Sequence, residues 1–145
     1  MKLNNLHDVL VDGLRDLYHA EKQLIKALPR MAKSAHDAQL QGALREHLAV
    51  TEKQASRLEK IFEELDMAPR GKPCRGMEGI FEEGKEVLEE SKESHPAAID
   101  AAIITAAQKV EHYEMSAYGS CRSHAELLGL NRVAQLLQET LDEES

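Results

Sequence analysis

Acidic side chains occur at matching positions in two similar halves of the chain. Glu21 lies in LRDLYHAEKQLIKAL, Glu111 and Glu114 lie in AAQKVEHYEMSAYGS, and Glu144 ends VAQLLQETLDEE. The offset that places Glu21 on Glu114 also places Thr51 on Glu144. Acids on the inward faces of four antiparallel helices are typical of di-metal carboxylate bundles. An unpaired inward carboxylate is costly, so we expect a cation among these acids.

The composition indicates an all-α protein. Aromatic residues make up 3% of the 145 residues, charged residues make up 30%, and there is no Trp. Ala, Leu, Glu, Lys and Gln, which are good helix formers, dominate the chain. A chain of this length is predicted to fold as a single domain over residues 1–145, with a core of useful size.

Apolar residues recur at steps of three and four, which predicts four long helices and one short one. The loop at residues 67–76 and the short helix after it would form a long crossover between two helical hairpins. The predicted fold is an antiparallel four-helix bundle in which this crossover carries the extra helix. The predicted helices span about residues 6–33, 38–65, 77–91 and 96–128, with the last beginning near residue 131.

The second helix has a polar centre on its inward stripe, formed by His47, Thr51 and Gln54. A polar centre between apolar ends predicts a site at mid-bundle depth. A di-iron bundle has Glu-x-x-His at this place, whereas Thr51 and Gln54 carry no charge. The chain therefore has up to four carboxylates but no clear His ligand, which favours a hard cation or a weak site.

Each candidate also has a simpler interpretation. Glu21 could reach solvent or pair with a lysine at the edge of the bundle. Glu111 and Glu114 share a helix face, where a divalent cation would relieve their repulsion, but Glu114 could instead point inward alone. His47 could be an ordinary core residue, or it could contact the metal or orient a ligand.

Charge and targeting signals narrow the range of partners. The net charge of −8 and the absence of a basic stripe argue against nucleic acid and against an anionic membrane. Cys74 and Cys121 have no CxxC spacing, as expected of reduced thiols in the cytoplasm. The N-terminal segment lacks the apolar core of a signal peptide, and no run is long enough to span a membrane.

The segments DLYHAEKQL, HLAVTEKQ, KPCRGMEGI, AAQKVEHYEMSAYGS and LLQETLDEES resemble the YciF-like bacterial stress proteins, a family first described as a domain of unknown function. The resemblance implies a bundle similar to ferritins and rubrerythrins, a homodimer, and metal-ligand roles for Glu21, Glu111, Glu114 and either Glu143 or Glu144. Members of that family often carry Glu where this chain has Val50, and they extend the last helix further.

Two functional hypotheses follow. In the first, the chain is a cytoplasmic ferritin-like stress-response protein with a carboxylate-rich di-metal site, working in oxidative stress or iron handling. Its metal would be Fe or Mn, or Mg or Ca in a weak site, held by Glu21, Glu111, Glu114 and Glu143 or Glu144, with His47 and Gln54 nearby. In the second, the chain is a non-enzymatic dimeric bundle that binds another protein, and its acids form a vestigial or structural cation site. The sequence leaves the question of enzymatic activity open.

Overall fold

The computed structural model describes residues 2–90 and 94–144, which contain five helices and no strand. Helices α1 and α2 form one hairpin, α4 and α5 form a second, and α3 lies in the connection between the two. The predicted all-α bundle with a helix in its crossover is confirmed. No helix in the described residues is long and apolar enough to cross a membrane. The helices are α1 (Leu6–Ser34), α2 (Ala38–Glu64), α3 (Arg75–Glu89), α4 (Pro96–Leu127) and α5 (Asn131–Glu144).

Local side chains determine where the helices begin. The Asn5 side chain accepts a hydrogen bond from the backbone N–H of Asp8, and the Asp37 side chain caps α2 in the same way. At the start of α4, His95 is the cap and Pro96 occupies the first turn. Pro29 lies within α1, which continues to Ser34 as helix, so it does not end the helix.

Polar contacts fasten the crossover to the first helix. Lys72 Nζ lies 2.5 Å from an oxygen of Asp12, and the Lys72 backbone N–H donates to the carbonyl of Arg15 at 3.1 Å. Beyond this point α3 packs on α1 and α4, and Met77 is its one fully buried residue. The two glycines in the middle of α3, Gly79 and Gly84, weaken it as an isolated helix, so packing holds it in place.

The core consists of two apolar clusters with a polar layer between them. One cluster contains Leu14, Phe62 and Leu137, and the other contains Leu28 and Ile103. The side chains of the polar layer are almost completely buried, although each could form hydrogen bonds in water. This layer lies at the depth where the polar centre of α2 predicts a site. Its fully buried members are Glu21, Thr51, Gln54 and Glu114.

Asp100 of α4 ties the turn between α1 and α2 to the second hairpin. One of its carboxylate oxygens accepts from the backbone N–H of His36 at 2.7 Å, and the other accepts from that of Asp37 at 2.8 Å. These hydrogen bonds lower the pKa of Asp100. A group whose pKa is lower in the folded state stabilises the protein above its unfolded value of 3.8, and that stabilisation is lost as the pH falls.

We therefore expect Asp100→Asn to lower the melting temperature at pH 7, because an amide offers one acceptor oxygen to two N–H groups. The difference from the parent protein should shrink between pH 5 and pH 3, which thermal melts by circular dichroism would measure. Asp66→Asn is the matched control, since Asp66 is exposed and its φ of 55° suits Asn equally well. An equal melting loss in both variants would contradict the role of Asp100.

Candidate functional site

Two of the predicted acids lie fully inside the bundle. Glu21 of α1 and Glu114 of α4 are both 0% exposed. This excludes the interpretation of Glu21 as a solvent-facing edge residue. Glu111 and Glu144 are half-buried, and Glu143 is exposed. Glu111 lies one turn before Glu114 on α4, and Glu144 lies at the C-terminal end of α5; both are partly accessible to solvent.

Burial changes the ionisation of the central pair. Burial raises the pKa of Glu21 to about 7, and the charge of Glu144 acts in the same direction. Burial also raises the pKa of Glu114 well above its ordinary value, with the charge of Glu21 as the next cause. At neutral pH the two carboxyl groups therefore retain at least one proton between them. Raised pKa values at a buried acid pair are typical of functional sites, although structural pairs show them too.

One side chain compensates the charge of Glu21 by a hydrogen bond. The Tyr118 hydroxyl donates to Glu21 Oε2 at 3.1 Å, and Tyr118 is itself 0% exposed. Burial, followed by the charges of Glu21 and Glu114, raises the pKa of Tyr118 well above its ordinary value, so the phenol stays protonated. The other oxygen of Glu21 receives no N–H or hydroxyl hydrogen bond from the described residues. A hydrogen bond between Glu114 and Glu21 lowers the pKa of Glu21, in the same direction as the bond from Tyr118.

A second polar group joins α2 to the end of α5. Gln54 Nε2 donates to Glu144 at 3.0 Å and to Glu143 at 3.3 Å. Arg57 donates to Glu143 at 2.7 Å and to the Thr140 hydroxyl at 2.9 Å. The hydrogen bond from Arg57 lowers the pKa of Glu143, whereas burial raises that of Glu144. Glu143 thus forms an ion pair at the surface, and Glu144 is the acid of α5 nearer the interior.

The remaining polar residues of α2 face the same layer. The Thr51 hydroxyl donates to the backbone carbonyl of His47 at 2.8 Å, within the helix. Burial lowers the pKa of His47, and the charge of Glu111 acts against that effect. The His47 ring is therefore biased towards its neutral form and lies within electrostatic range of Glu111. Neutral imidazole is the form that binds metals, so His47 keeps both of its predicted interpretations.

The unpaired oxygens of this layer fit the chemistry of a hard cation. No described N–H or hydroxyl group donates to Glu21 Oε1, to either carboxyl oxygen of Glu114 or to Gln54 Oε1, although all are buried. The proton that the acid pair retains is shared in a hydrogen bond between Glu114 and Glu21. Buried acceptors without partners are unusual, and carboxylate and amide oxygens are the ligands that Mg²⁺, Ca²⁺ and Mn²⁺ prefer. However, no three or more His, Cys, Asp or Glu side chains in residues 2–90 and 94–144 form a group that could hold a metal ion. The donor types fit, but a complete ligand set is not assembled.

Neither Tyr118 nor Arg57 is among the site residues that the sequence predicts. The signal for Arg57 was its spacing, because it follows Gln54 by three residues and so shares its helix face. For Tyr118, the signal was its position four residues after Glu114, which places it on the same inward stripe. Cys74 and Cys121 are free and buried, as expected of reduced thiols.

Comparison with known proteins identifies the family of this chain. The family described as Domain of unknown function (DUF892) matches residues 5–145. The chain belongs to the DUF892 family. Protein YciF of Escherichia coli (strain K12) is 41% identical over 145 residues, which cover 99% of this chain and 86% of YciF. The family resemblance drawn from the sequence is therefore confirmed.

Solved structures show the same DUF892-family architecture. The crystal structure of the E. coli stress protein YciF matches with a TM-score of 0.92 and 40% identity, covering 98% of this chain and 89% of that one. "YcfI, a putative structural protein" from Rhodopseudomonas palustris matches with a TM-score of 0.94 and 38% identity, covering 99% and 90%. These relatives establish the fold, and one of them, YciF, is described as a stress protein. They leave the metal hypothesis untested.

Proposed function

We propose that this DUF892-family chain is a cytoplasmic stress-response protein whose buried Glu21–Glu114 pair binds a divalent cation. The supporting observation is the set of buried oxygens of Glu21, Glu114 and Gln54 that no N–H or hydroxyl donor reaches, so that only the proton shared by Glu21 and Glu114 compensates the acid pair from within. A cation would satisfy these acceptors together and would replace the proton that the pair holds at neutral pH. The stress role rests on the similarity to YciF.

In this proposal Glu21 and Glu114 are the central ligands, and Gln54 Oε1 is a neutral oxygen ligand. Glu111 and Glu144 are half-buried next to the pair and are the further candidates. Glu143 and His47 are predicted to orient ligands and not to be central ligands themselves. Glu143 does so by its ion pair with Arg57. Tyr118 orients Glu21 by its hydrogen bond. If the cation is Fe or Mn, it supplies redox chemistry suited to peroxide or oxygen.

The test is calorimetric titration of the full chain, purified without a metal-affinity step, with Mn²⁺, Mg²⁺ and Ca²⁺, and with Fe²⁺ under anaerobic conditions. We expect saturable binding of at least one of these cations, with proton release that differs between buffers of different ionisation enthalpy. Glu114→Gln removes a central carboxylate and should weaken binding about tenfold or more. Glu64→Gln, an exposed acid on α2, is the control and should bind as the parent does. Absence of saturable binding, or equal binding by both variants, would overturn the proposal.

The second candidate function is that of a non-enzymatic bundle, a homodimer that binds another protein and in which the acids are structural. Two observations favour it. The inward positions of α2 in the polar layer hold the uncharged residues Thr51 and Gln54, and Gln54 Nε2 already donates a hydrogen bond to Glu144. A relative described as a structural protein agrees with this alternative. Sedimentation equilibrium would test the dimer, and a dimer that binds no cation would favour this function over the first.

A further inference from the structure

A cleft of about 330 Å³ opens between α1, α3 and α4, and its lining contains none of the four fully buried residues of the polar layer. It exists because α3 packs loosely, with Ile80, Phe81, Val87 and Leu88 only partly buried. Apolar side chains of α1 and α4 form the rest of its floor. A volume of this size lies at the lower end of the range for small-molecule pockets, which is about 300–1,000 Å³. The apolar lining residues from α1 and α4 are Ala27, Met31, Ile103, Ala106 and Val110.

The rim of the cleft is basic although the protein carries a net charge of −8. Lys26 and Arg30 stand one turn apart on α1, and Lys85 stands on α3. None of these three forms an ion pair with any residue in the described ranges. One acid, Glu82, also lies on the rim, so positive charge remains in excess.

We propose that this cleft binds a single-chain carboxylate amphiphile, that is, a fatty acid of medium length. The apolar floor suits an alkyl chain, and the cations of Lys26, Arg30 and Lys85 suit its carboxylate. A protein partner is a weaker fit, because a specific protein interface buries about 800 Å² on each side, whereas this is one narrow cleft. A two-chain phospholipid is too large for about 330 Å³.

The experiment is calorimetric titration of the full chain with decanoate below its micelle concentration, compared with decanol and decyltrimethylammonium. We expect decanoate to bind with one site, and the neutral and cationic analogues to bind about tenfold more weakly or not at all, because they lose the rim contacts. Absence of decanoate binding, or equal binding of all three, would overturn the proposal.

Two pairs of variants identify the site. Ala27→Leu adds bulk in the cleft and should abolish decanoate binding. Ala102→Leu adds the same bulk to a neighbouring groove between α3 and α4, outside the lining of the cleft, and should leave decanoate binding unchanged. The double variant Lys26→Glu with Arg30→Glu should weaken binding about tenfold. Lys53→Glu with Lys60→Glu makes the same change in net charge at a separate groove between α2 and α5. If the two variants of either pair bind decanoate with the same affinity, decanoate does not occupy this cleft.

Discussion

Glu21→Gln is expected to stabilise the metal-free protein at pH 8 by on the order of 3 kcal/mol, and not to stabilise it near pH 4.5. Burial raises the pKa of Glu21 from 4.5 to about 7 in the folded state. Below pH 4.5 the side chain is protonated both folded and unfolded, so it imposes no electrostatic cost. As the pH rises through 7, the unfolded chain has already ionised and the folded chain must ionise at a buried position, so the free energy of unfolding falls. Glutamine has the same shape and never ionises.

The measurement is urea unfolding of both proteins with chelator present, from pH 4.5 to pH 8. The two stability curves should converge at the acid end and separate between pH 5 and pH 7. Glu52→Gln, an exposed acid on α2, should follow the parent at every pH. If the free energies of unfolding of Glu21→Gln and its parent differed by the same amount at every pH, the difference would come from packing and not from ionisation of Glu21. With saturating cation the parent should have the higher free energy of unfolding, because bound cation stabilises the parent and not Glu21→Gln.

The sequence predicted the helices and their buried faces well. The apolar stripe of α1, with Glu21 in phase between Leu17 and Leu24, was enough to place Glu21 inside, because helical periodicity alone determines which face is buried. The same argument placed Glu114 and Gln54. Helix ends were predicted to within two residues, and the largest difference is at α3, which spans Arg75–Glu89 where residues 77–91 were predicted.

Periodicity could not determine the contacts across helices. Whether Gln54 reaches Glu144 depends on how far α2 and α5 lie apart, which no local pattern contains. The same holds for Glu111, whose helix phase allowed an inward position but whose depth depends on the spacing of the helices around α4. The cleft beside α3 could not be predicted either, because it results from imperfect packing of a crossover helix against two others.

Tyr118→Phe is expected to cost about 2 kcal/mol of stability at pH 8 and less at pH 5. The change removes the hydroxyl that donates to Glu21 Oε2 and keeps the shape of the ring. The buried carboxylate then loses one of its hydrogen bonds. The hydrogen bond also lowers the pKa of Glu21, so its loss raises that pKa further and widens the range in which Glu21 is neutral. The cost is therefore largest where Glu21 would otherwise be ionised.

Tyr18→Phe is the matched control for this prediction. The Tyr18 hydroxyl donates to Glu59 at the same distance of 3.1 Å, but Glu59 is only partly buried and water can replace the donor. Urea unfolding should show a loss below about 1 kcal/mol for Tyr18→Phe, with little dependence on pH. In the background of Glu21→Gln, where the acceptor is never charged, the cost of Tyr118→Phe should fall and lose its pH dependence. An unchanged cost in that background would mean that the Tyr118 hydroxyl stabilises the bundle independently of the buried acid.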